Sequence, residues 1–402
     1  MRRVLILLMV AGVASAAVLI VTTRHAARQA AQLAEREAAW QAEKAELEAA
    51  LARARERARE AAIASASPVP QQIPARLSPA EIIEKLQALK MSANTSRNLR
   101  QAVYWLEELT QAGSEAVPAI REFLARYEDL DLDTSWFQRS RDRLPPEFTL
   151  PPSLRFGLFD VLRQIGGPEA ERVLADVLGA TGRGVELAYV ARLLQDMAPD
   201  KYRDQALAAA RALLASTTTL NSASPLDRNH RDYLFSVLVM YGDTGFAAEA
   251  HAQLVRADSQ IDRGALRYLF QTLGAQAVPI AAQTYQSPLL TNSAGKEPLA
   301  RLALNFVGAD AQANEFYERA INDPILTASH RKNLIEDLNQ DGFADTRNLT
   351  ARDLPLIENR IALIEALAPH ALDPVNAAAF KEAYKDLINM RAKVTGVPPP
   401  VR

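Results

Sequence analysis

The sequence predicts an all-helical protein whose body, residues 79–393, is a stack of helical pairs. From Ser78 onward, apolar residues recur at i, i+3, i+4 and i+7 in nearly every segment, and alternating strand-like runs are scarce. The pattern Gly-x-x-Ala-Val-Pro occurs twice, at residues 113–118 and 274–279. Because one helical pair can bury only one of its faces, several pairs must stack to form a core.

The composition narrows the possible functions. The 402 residues include 46 Lys and Arg against 48 Asp and Glu, a net charge of −2, so the basic excess that is typical of nucleic-acid-binding proteins is absent. We therefore expect no nucleic-acid partner. The chain contains no cysteine, which excludes a disulfide framework, cysteine-ligated zinc, an iron–sulfur cluster and a cysteine nucleophile.

Residues 1–23 are predicted to form a transmembrane signal anchor. Residues 4–21 carry no charge and are long enough to cross a bilayer core of about 30 Å. Arg2 and Arg3 favour a cytoplasmic N-terminus, which predicts a single-pass protein of the bacterial inner membrane with its body in the periplasm. The alternative is a signal peptide cleaved near Ala16, which would leave a secreted or periplasmic body.

Residues 24–64 are predicted to form a long helical stalk, because they lack Gly and Pro and consist largely of strong helix formers. One heptad position is mostly apolar, but the other includes Glu37 and Lys44. The stalk is therefore either a coiled coil that makes a homodimer or a single solvated helix. Residues 65–78 are rich in proline and predict an extended linker. Residues 394–402 are predicted to be a disordered tail.

Within the body, each unit is expected to turn at a glycine that caps its first helix in the left-handed conformation. Proline then stands near the start of the second helix. The clear units turn at Gly113 and Gly274, and looser copies turn at Gly166, Gly242 and Gly308. The Ser78-Pro79-Ala80-Glu81 sequence predicts a capping box at the start of the body.

These units resemble the HEAT-repeat family, in particular its short lyase-associated type, whose units commonly read Leu-Gly followed by Ala-Val-Pro. The resemblance covers roughly residues 100–325, and the chain looks like an exported bacterial HEAT-like repeat protein. The resemblance implies a right-handed superhelix, or α-solenoid, of antiparallel helix pairs whose concave face binds other proteins. The expected function is therefore that of a protein–protein interaction scaffold or adaptor with a protein partner. The lyase residues of some family members have no match that we can identify in this chain.

Two segments interrupt the repeats. Residues 129–153 contain four prolines together with Trp136, Phe137 and Phe148. Aromatic residues are common at the energetic centres of interfaces, so these three are candidate protein-binding residues. The alternative is that the segment packs over the body's own surface. Residues 215–227 are predicted to be a flexible loop between repeats.

Residues 337–348 have the spacing of a calcium-binding loop. Oxygen side chains stand at loop positions 1, 3, 5, 9 and 12, Gly342 is at position 6, and position 7 supplies a backbone carbonyl, so the candidate Ca²⁺ ligands are Asp337, Asn339, Asp341, Phe343, Asp345 and Asn348. The loop resembles those of EF-hands and dockerins, but Asn348 replaces their bidentate glutamate, so only weak binding is expected. The alternative is an Asp-Gly turn between two helices.

These observations leave two other functions open. One is a structural envelope protein that is stabilised by calcium at its C-terminal helix-loop-helix. The other is an enzyme without a familiar motif. The five histidines lack metal-ligand spacing, no Gly-x-Ser-x-Gly is present, and residues 179–184 lack the lysine of a phosphate loop. We therefore expect no enzymatic activity, no catalytic residue and no cofactor other than Ca²⁺.

Overall fold

The fold was analysed in a computed structural model. Its contacts divide the chain into two compact units, Met1–Arg76 and Leu77–Arg402. The structure describes residues 44–46, 49–50, 52–53, 56, 77–90, 95–135, 137, 144–145, 148–216 and 224–397. The described residues between 44 and 56 are helical.

The predicted membrane anchor, residues 1–23, lies outside the described residues. So do most of the predicted stalk, nearly all of the predicted linker, and the last five residues of the chain. In the part of the chain that is described, none of the helices combines the length and the apolar character needed to cross a bilayer.

In its described ranges, the second unit consists of α-helices and 3₁₀ turns that are joined by loops, with two isolated β-bridges and no strand. The prediction of an all-helical body is confirmed for these residues. The helices are α1 (Pro79–Gln87), α2 (Thr95–Ala112), α3 (Val117–Ala125), α4 (Leu154–Ile165), α5 (Gly167–Ala180), α6 (Gly184–Met197), α7 (Arg203–Ala215), α8 (His230–Met240), α9 (Ala247–Ala252), α10 (Arg263–Leu273), α11 (Ala277–Tyr285), α12 (Ser293–Ala303), α13 (Ala311–Ile321), α14 (Ala328–Glu336), α15 (Leu354–Leu367) and α16 (Pro374–Thr395).

The helices alternate between two layers. We call the even-numbered helices from α2 to α14 row A, and each of them contacts the next member of the row. We call the odd-numbered helices from α1 to α13 row B, in which α1, α3, α5 and α7 contact one another in order, as do α11 and α13. Helix α16 packs against α14 and α15 at the C-terminal end. The buried apolar side chains form one continuous core across these elements.

The turns between helices follow the sequence prediction. All five glycines expected at turns have positive φ, from 58° to 90°. Pro118 and Pro168 stand in the first turns of α3 and α5. Ser78 and Glu81 form the predicted capping box, which fixes the start of α1. These helix boundaries therefore coincide with local sequence signals.

A second internal repeat escaped the sequence analysis. Residues 287–291 read Ser-Pro-Leu-Leu-Thr, and residues 323–327, thirty-six positions later, read Asp-Pro-Ile-Leu-Thr. In both copies the first side chain accepts a hydrogen bond from the amide of the third residue. The fourth residue of each copy, Leu290 or Leu326, is buried. The two segments therefore lead into α12 and α14 with the same local structure.

Successive row A helices approach closely at their N-terminal ends. A Cβ atom at Gly184, the first residue of α6, would lie 2.3 Å from the His230 carbonyl oxygen, so only glycine fits. The Gly184 N–H donates to His230 Nδ1 at 2.9 Å. Burial lowers the pKa of His230, while the nearby Asp227 opposes this shift and Arg231 adds to it.

A buried arginine joins three segments at the C-terminal end of the body. The Arg360 guanidinium of α15 donates to the backbone carbonyls of Val307 (2.8 Å), Leu304 (2.8 Å) and Asp341 (2.6 Å), and also to that of Leu338. Its side chain is fully buried. Burial lowers the pKa of Arg360 to about 10, which still leaves the side chain charged at neutral pH.

Two glycines make room for this side chain. A Cβ atom at Gly308 would lie 2.8 Å from Arg360 Cγ, and one at Gly342 would lie 2.7 Å from Arg360 Nη2. Both glycines have positive φ. The charged Arg360 side chain therefore satisfies backbone carbonyls that follow α12 and carbonyls of the 338–341 turn that follows α14.

We predict that Arg360→Met lowers the free energy of unfolding by about 3 to 5 kcal/mol, because it leaves several buried carbonyls without a donor. Urea denaturation followed by circular dichroism measures the change. The matched control is Arg319→Met, because Arg319 is exposed on α13. Equal unfolding midpoints for the two variants would contradict the role given to Arg360.

We also predict a pH effect from His230. The neutral His230 ring accepts the Gly184 hydrogen bond, so the folded protein resists protonation of this ring. As the pH falls below about 6.5, the unfolded chain gains a proton before the folded protein does, and the free energy of unfolding decreases. His230→Asn retains an acceptor but does not titrate. The difference in unfolding free energy between wild type and this variant should therefore change below pH 6.5, measured by urea titrations from pH 5 to 8. A difference that is independent of pH would contradict the prediction.

Candidate functional site

A cavity of about 330 Å³ lies along row A, between α6, α8 and α10. Its buried lining is largely apolar and includes Phe235, Val237 and Tyr268. More exposed residues surround these, namely Arg192, Asp232, Ser236, Val239, Met240, Arg267 and Gln271. An apolar interior with a few polar groups is the usual composition of a ligand-binding cavity.

Arg192 lines this cavity and is only partly paired. Its Nη1 donates to the Leu144 carbonyl oxygen at 3.5 Å, and its guanidinium carbon lies 5.0 Å from the centre of the Tyr189 ring. Its Nε and Nη2 are buried without a hydrogen-bond partner. Burial lowers the pKa of Arg192. The sequence analysis did not identify this residue, although Arg192 is one of few charges in the apolar helix α6.

Two aromatic residues of the 129–153 segment, Phe137 and Phe148, lie against row A. Phe148 packs on Phe156 of α4 and Tyr189 of α6, with ring centres 5.7 and 5.4 Å apart. Phe137 packs on Phe148 and on Tyr233 of α8. Both phenylalanines are buried, with 5% and 8% of their surfaces exposed. They contribute to the body's own packing, as the alternative interpretation of this segment predicted.

A partner could contact Phe137 and Phe148 only if these rings left row A. Trp136, the third candidate, lies outside the described residues. Partner binding by Trp136 therefore stays a prediction.

The predicted Ca²⁺ ligands in residues 337–348 form hydrogen bonds with different partners. Asp337 accepts a hydrogen bond from Arg301 of α12. Asn339 Nδ2 donates to Asp386 Oδ2 of α16 at 2.7 Å. Asp345 and Asn348 are joined by a 2.7 Å hydrogen bond from Asn348 Nδ2. The predicted ligands at loop positions 1 and 3 therefore contact two different helices.

The other two candidates in this loop lie near Arg360. Burial raises the pKa of the Asp341 carboxyl, and the Phe343 ring lies 5.0 Å from the Arg360 guanidinium. In the described ranges, which include the whole 337–348 loop, no three or more acidic or histidine side chains form a group that could hold a metal ion. Calcium binding stays a prediction.

A buried ionic network joins α4 to α6, and the sequence analysis missed it. Arg155 Nε and Nη2 each donate to one carboxylate oxygen of Glu186 at 2.9 Å, and Arg155 Nη1 donates to the Leu124 carbonyl oxygen. Thr181 also donates to Glu186. Because both oxygens of Glu186 are engaged, the carboxylate holds helices together and is a poor general base.

A Ser–His pair links α12 to α14. Ser293 Oγ lies 2.5 Å from His330 Nδ1 and accepts a 3.0 Å hydrogen bond from the Thr327 amide. The serine side chain is buried. These contacts connect the start of α12 to the 323–327 segment and to α14, so they have a structural role.

Comparison with known proteins gives no family for the chain, since no family model and no curated protein matches it. Its relation to HEAT-repeat proteins stays a resemblance.

We predict that Phe148→Ala destabilises the protein by about 3 kcal/mol, because it removes a buried ring from the contact between α4 and α6. Thermal denaturation followed by circular dichroism tests this. The control is Leu289→Ala, since 58% of Leu289 is exposed. An unchanged melting temperature for Phe148→Ala would show that the ring does not belong to the core.

Proposed function

We propose that the protein is an exported, membrane-anchored α-solenoid that acts as a protein–protein interaction scaffold or adaptor. The single observation that carries this proposal is the order of contacts in residues 77–397. Each row A helix contacts the next row A helix, and most row B helices do the same. This order is typical of repeat proteins, in which each unit packs mainly on its neighbours.

The recurrence of sequence and local structure supports the same interpretation. Glycines with positive φ end the first helix of several units, and the 287–291 sequence recurs at 323–327. This recurrence, with the resemblance noted above, favours a HEAT-like superhelix. A stack of this kind presents extended faces that are formed by side chains from several helices, a surface suited to binding other proteins.

The location in the cell is proposed from the sequence. Residues 4–21 would anchor the chain in the bacterial inner membrane, and the body would lie in the periplasm. The alternative is cleavage near Ala16 and release of the body. The helical stalk would hold the body away from the bilayer, and it would form a homodimer if its heptads pair.

The proposal predicts that partner capture depends on the body. Tagged full-length protein and a variant without residues 79–393 should be expressed in the native cells, cross-linked and purified, and the captured proteins identified by mass spectrometry. Specific partners should accompany the full-length protein and be absent from the variant, which keeps the anchor and stalk. Capture of the same proteins by both would contradict a scaffold role for the body.

A further inference from the structure

The C-terminal end of the body carries a second cavity, which lies between residues 339–347 and the C-terminal half of α16. We infer that this cavity binds an uncharged saccharide. A saccharide would be a second kind of ligand, separate from the protein partner of the proposed scaffold. The site combines a cavity of suitable volume, a lining with balanced charge, and exposed polar groups around one aromatic ring.

The cavity is large enough for a small molecule. Its volume is about 820 Å³, and sites for small ligands usually measure roughly 300 to 1,000 Å³. Residues between Asn339 and Arg347 line one side, and residues between Asp386 and Lys393 of α16 line the other. Most of these lining residues are polar, in contrast to the buried lining of the row A cavity. The ligand must therefore be polar as well.

The charges of the lining cancel. Asp345 and Asp386 supply two carboxylates, and Arg347 and Lys393 supply two cations. An ion of either sign would lie near like charges as well as opposite ones, so the attraction that it gains is offset by repulsion. An uncharged ligand meets no such repulsion and can still form hydrogen bonds with all four groups.

The polar side chains of the lining are exposed and can reach a ligand. Gln340, Asn389 and Lys393 are exposed, and in the described part of the chain their side chains form no hydrogen bond or ion pair. The same holds for the Arg347 guanidinium. An amide donates through its nitrogen and accepts through its oxygen, and a hydroxyl group also does both. A ligand rich in hydroxyl groups can therefore pair with amides, cations and carboxylates at the same time.

Internal hydrogen bonds hold the two carboxylates of the lining in place. Asn339 Nδ2 donates to Asp386 Oδ2 at 2.7 Å, which also joins the two sides of the cavity. The Arg347 amide donates to Asp345 Oδ1 at 2.8 Å, and Asn348 Nδ2 donates to Asp345 Oδ2 at 2.7 Å. These bonds lower the pKa of the Asp345 carboxyl, so it is ionised at neutral pH. A carboxylate oxygen has two lone pairs, so both side chains can still accept a hydrogen bond from a ligand hydroxyl group.

The Phe343 ring supplies the apolar part of the site. It lines the cavity and is half-buried, and its centre lies 5.0 Å from the Arg360 guanidinium. The face of an aromatic ring is negative and attracts weakly positive C–H groups. A pyranose ring has C–H groups on its faces and hydroxyl groups around its edge. It therefore matches an aromatic ring that is surrounded by polar side chains.

The test uses the full-length protein, purified in a detergent without a sugar headgroup. Its binding is first measured on an array of di- to tetrasaccharides with neutral, carboxylated and sulfated members. The neutral saccharide that binds most strongly is then titrated by isothermal calorimetry into wild type, Asn389→Leu, Gln340→Leu and Gln312→Leu. Leucine is similar in size to the amide side chains but forms no hydrogen bond. Gln312 is exposed on α13 and serves as the matched control.

We expect neutral saccharides to bind more strongly than carboxylated and sulfated ones. Asn389→Leu and Gln340→Leu should each weaken binding at least fivefold, because each removes hydrogen bonds to the ligand, and Gln312→Leu should bind like wild type. The affinity should stay the same in EDTA, because the contacts do not involve calcium at the 337–348 loop. It should also stay the same when the salt concentration is raised, because an uncharged ligand is not screened.

Absence of binding by neutral saccharides, stronger binding of the charged ones, or unchanged affinity of either folded variant overturns the inference. Loss of binding in EDTA also overturns it, because the ligand would then be held by calcium. Circular dichroism shows whether each variant is folded. Gln340 lies in a turn and Asn389 in a helix, so one variant keeps the test decisive if the other is poorly folded.

Discussion

Each helical pair in residues 77–397 can bury only one face by itself, so each pair depends on its neighbours for a core. This constraint explains why the buried apolar residues form one continuous cluster. It also explains where the buried polar groups lie. Arg155, Arg331 and Arg360 are each at most 7% exposed. All three donate to groups outside their own helices. Their hydrogen bonds are directional and link elements that are also held together by non-directional apolar contacts.

Much of the fold could be predicted because its signals are local. Helical periodicity, the glycines at turns and the capping box at Ser78 each depend on residues within a few positions of one another, and the structure agrees with all three. The polar links could not be predicted in the same way. Arg155 and Glu186 are far apart in sequence, and only the stacking of α4 on α6 brings them together. For Arg192, the sequence supplies the charge but not the missing acceptor.

In the 337–348 loop, contacts with distant residues determine where the predicted ligand side chains lie. Its oxygen side chains have the spacing of a calcium loop. Asp337, however, accepts a hydrogen bond from Arg301 of α12, and Asn339 donates one to Asp386 of α16. Arg360 supplies a positive charge at the backbone of the turn. A sequence signal for Arg360 did exist, because it lies three residues after buried Ile357 and four before buried Ile364, on the apolar face of its helix. A charged residue at such a position requires buried acceptors.

The same reasoning distinguishes the arginines that are fully paired from one that is only partly paired. In a close-packed stack, a buried guanidinium is tolerated when carbonyls or carboxylates of adjacent units satisfy it. Arg155 and Arg360 meet this condition through several acceptors each. Arg192 of α6 meets it only in part, because its Nε and Nη2 are buried without an acceptor. Its guanidinium lies 5.0 Å from the centre of the Tyr189 ring, and this aromatic face offsets part of the cost of burying the charge.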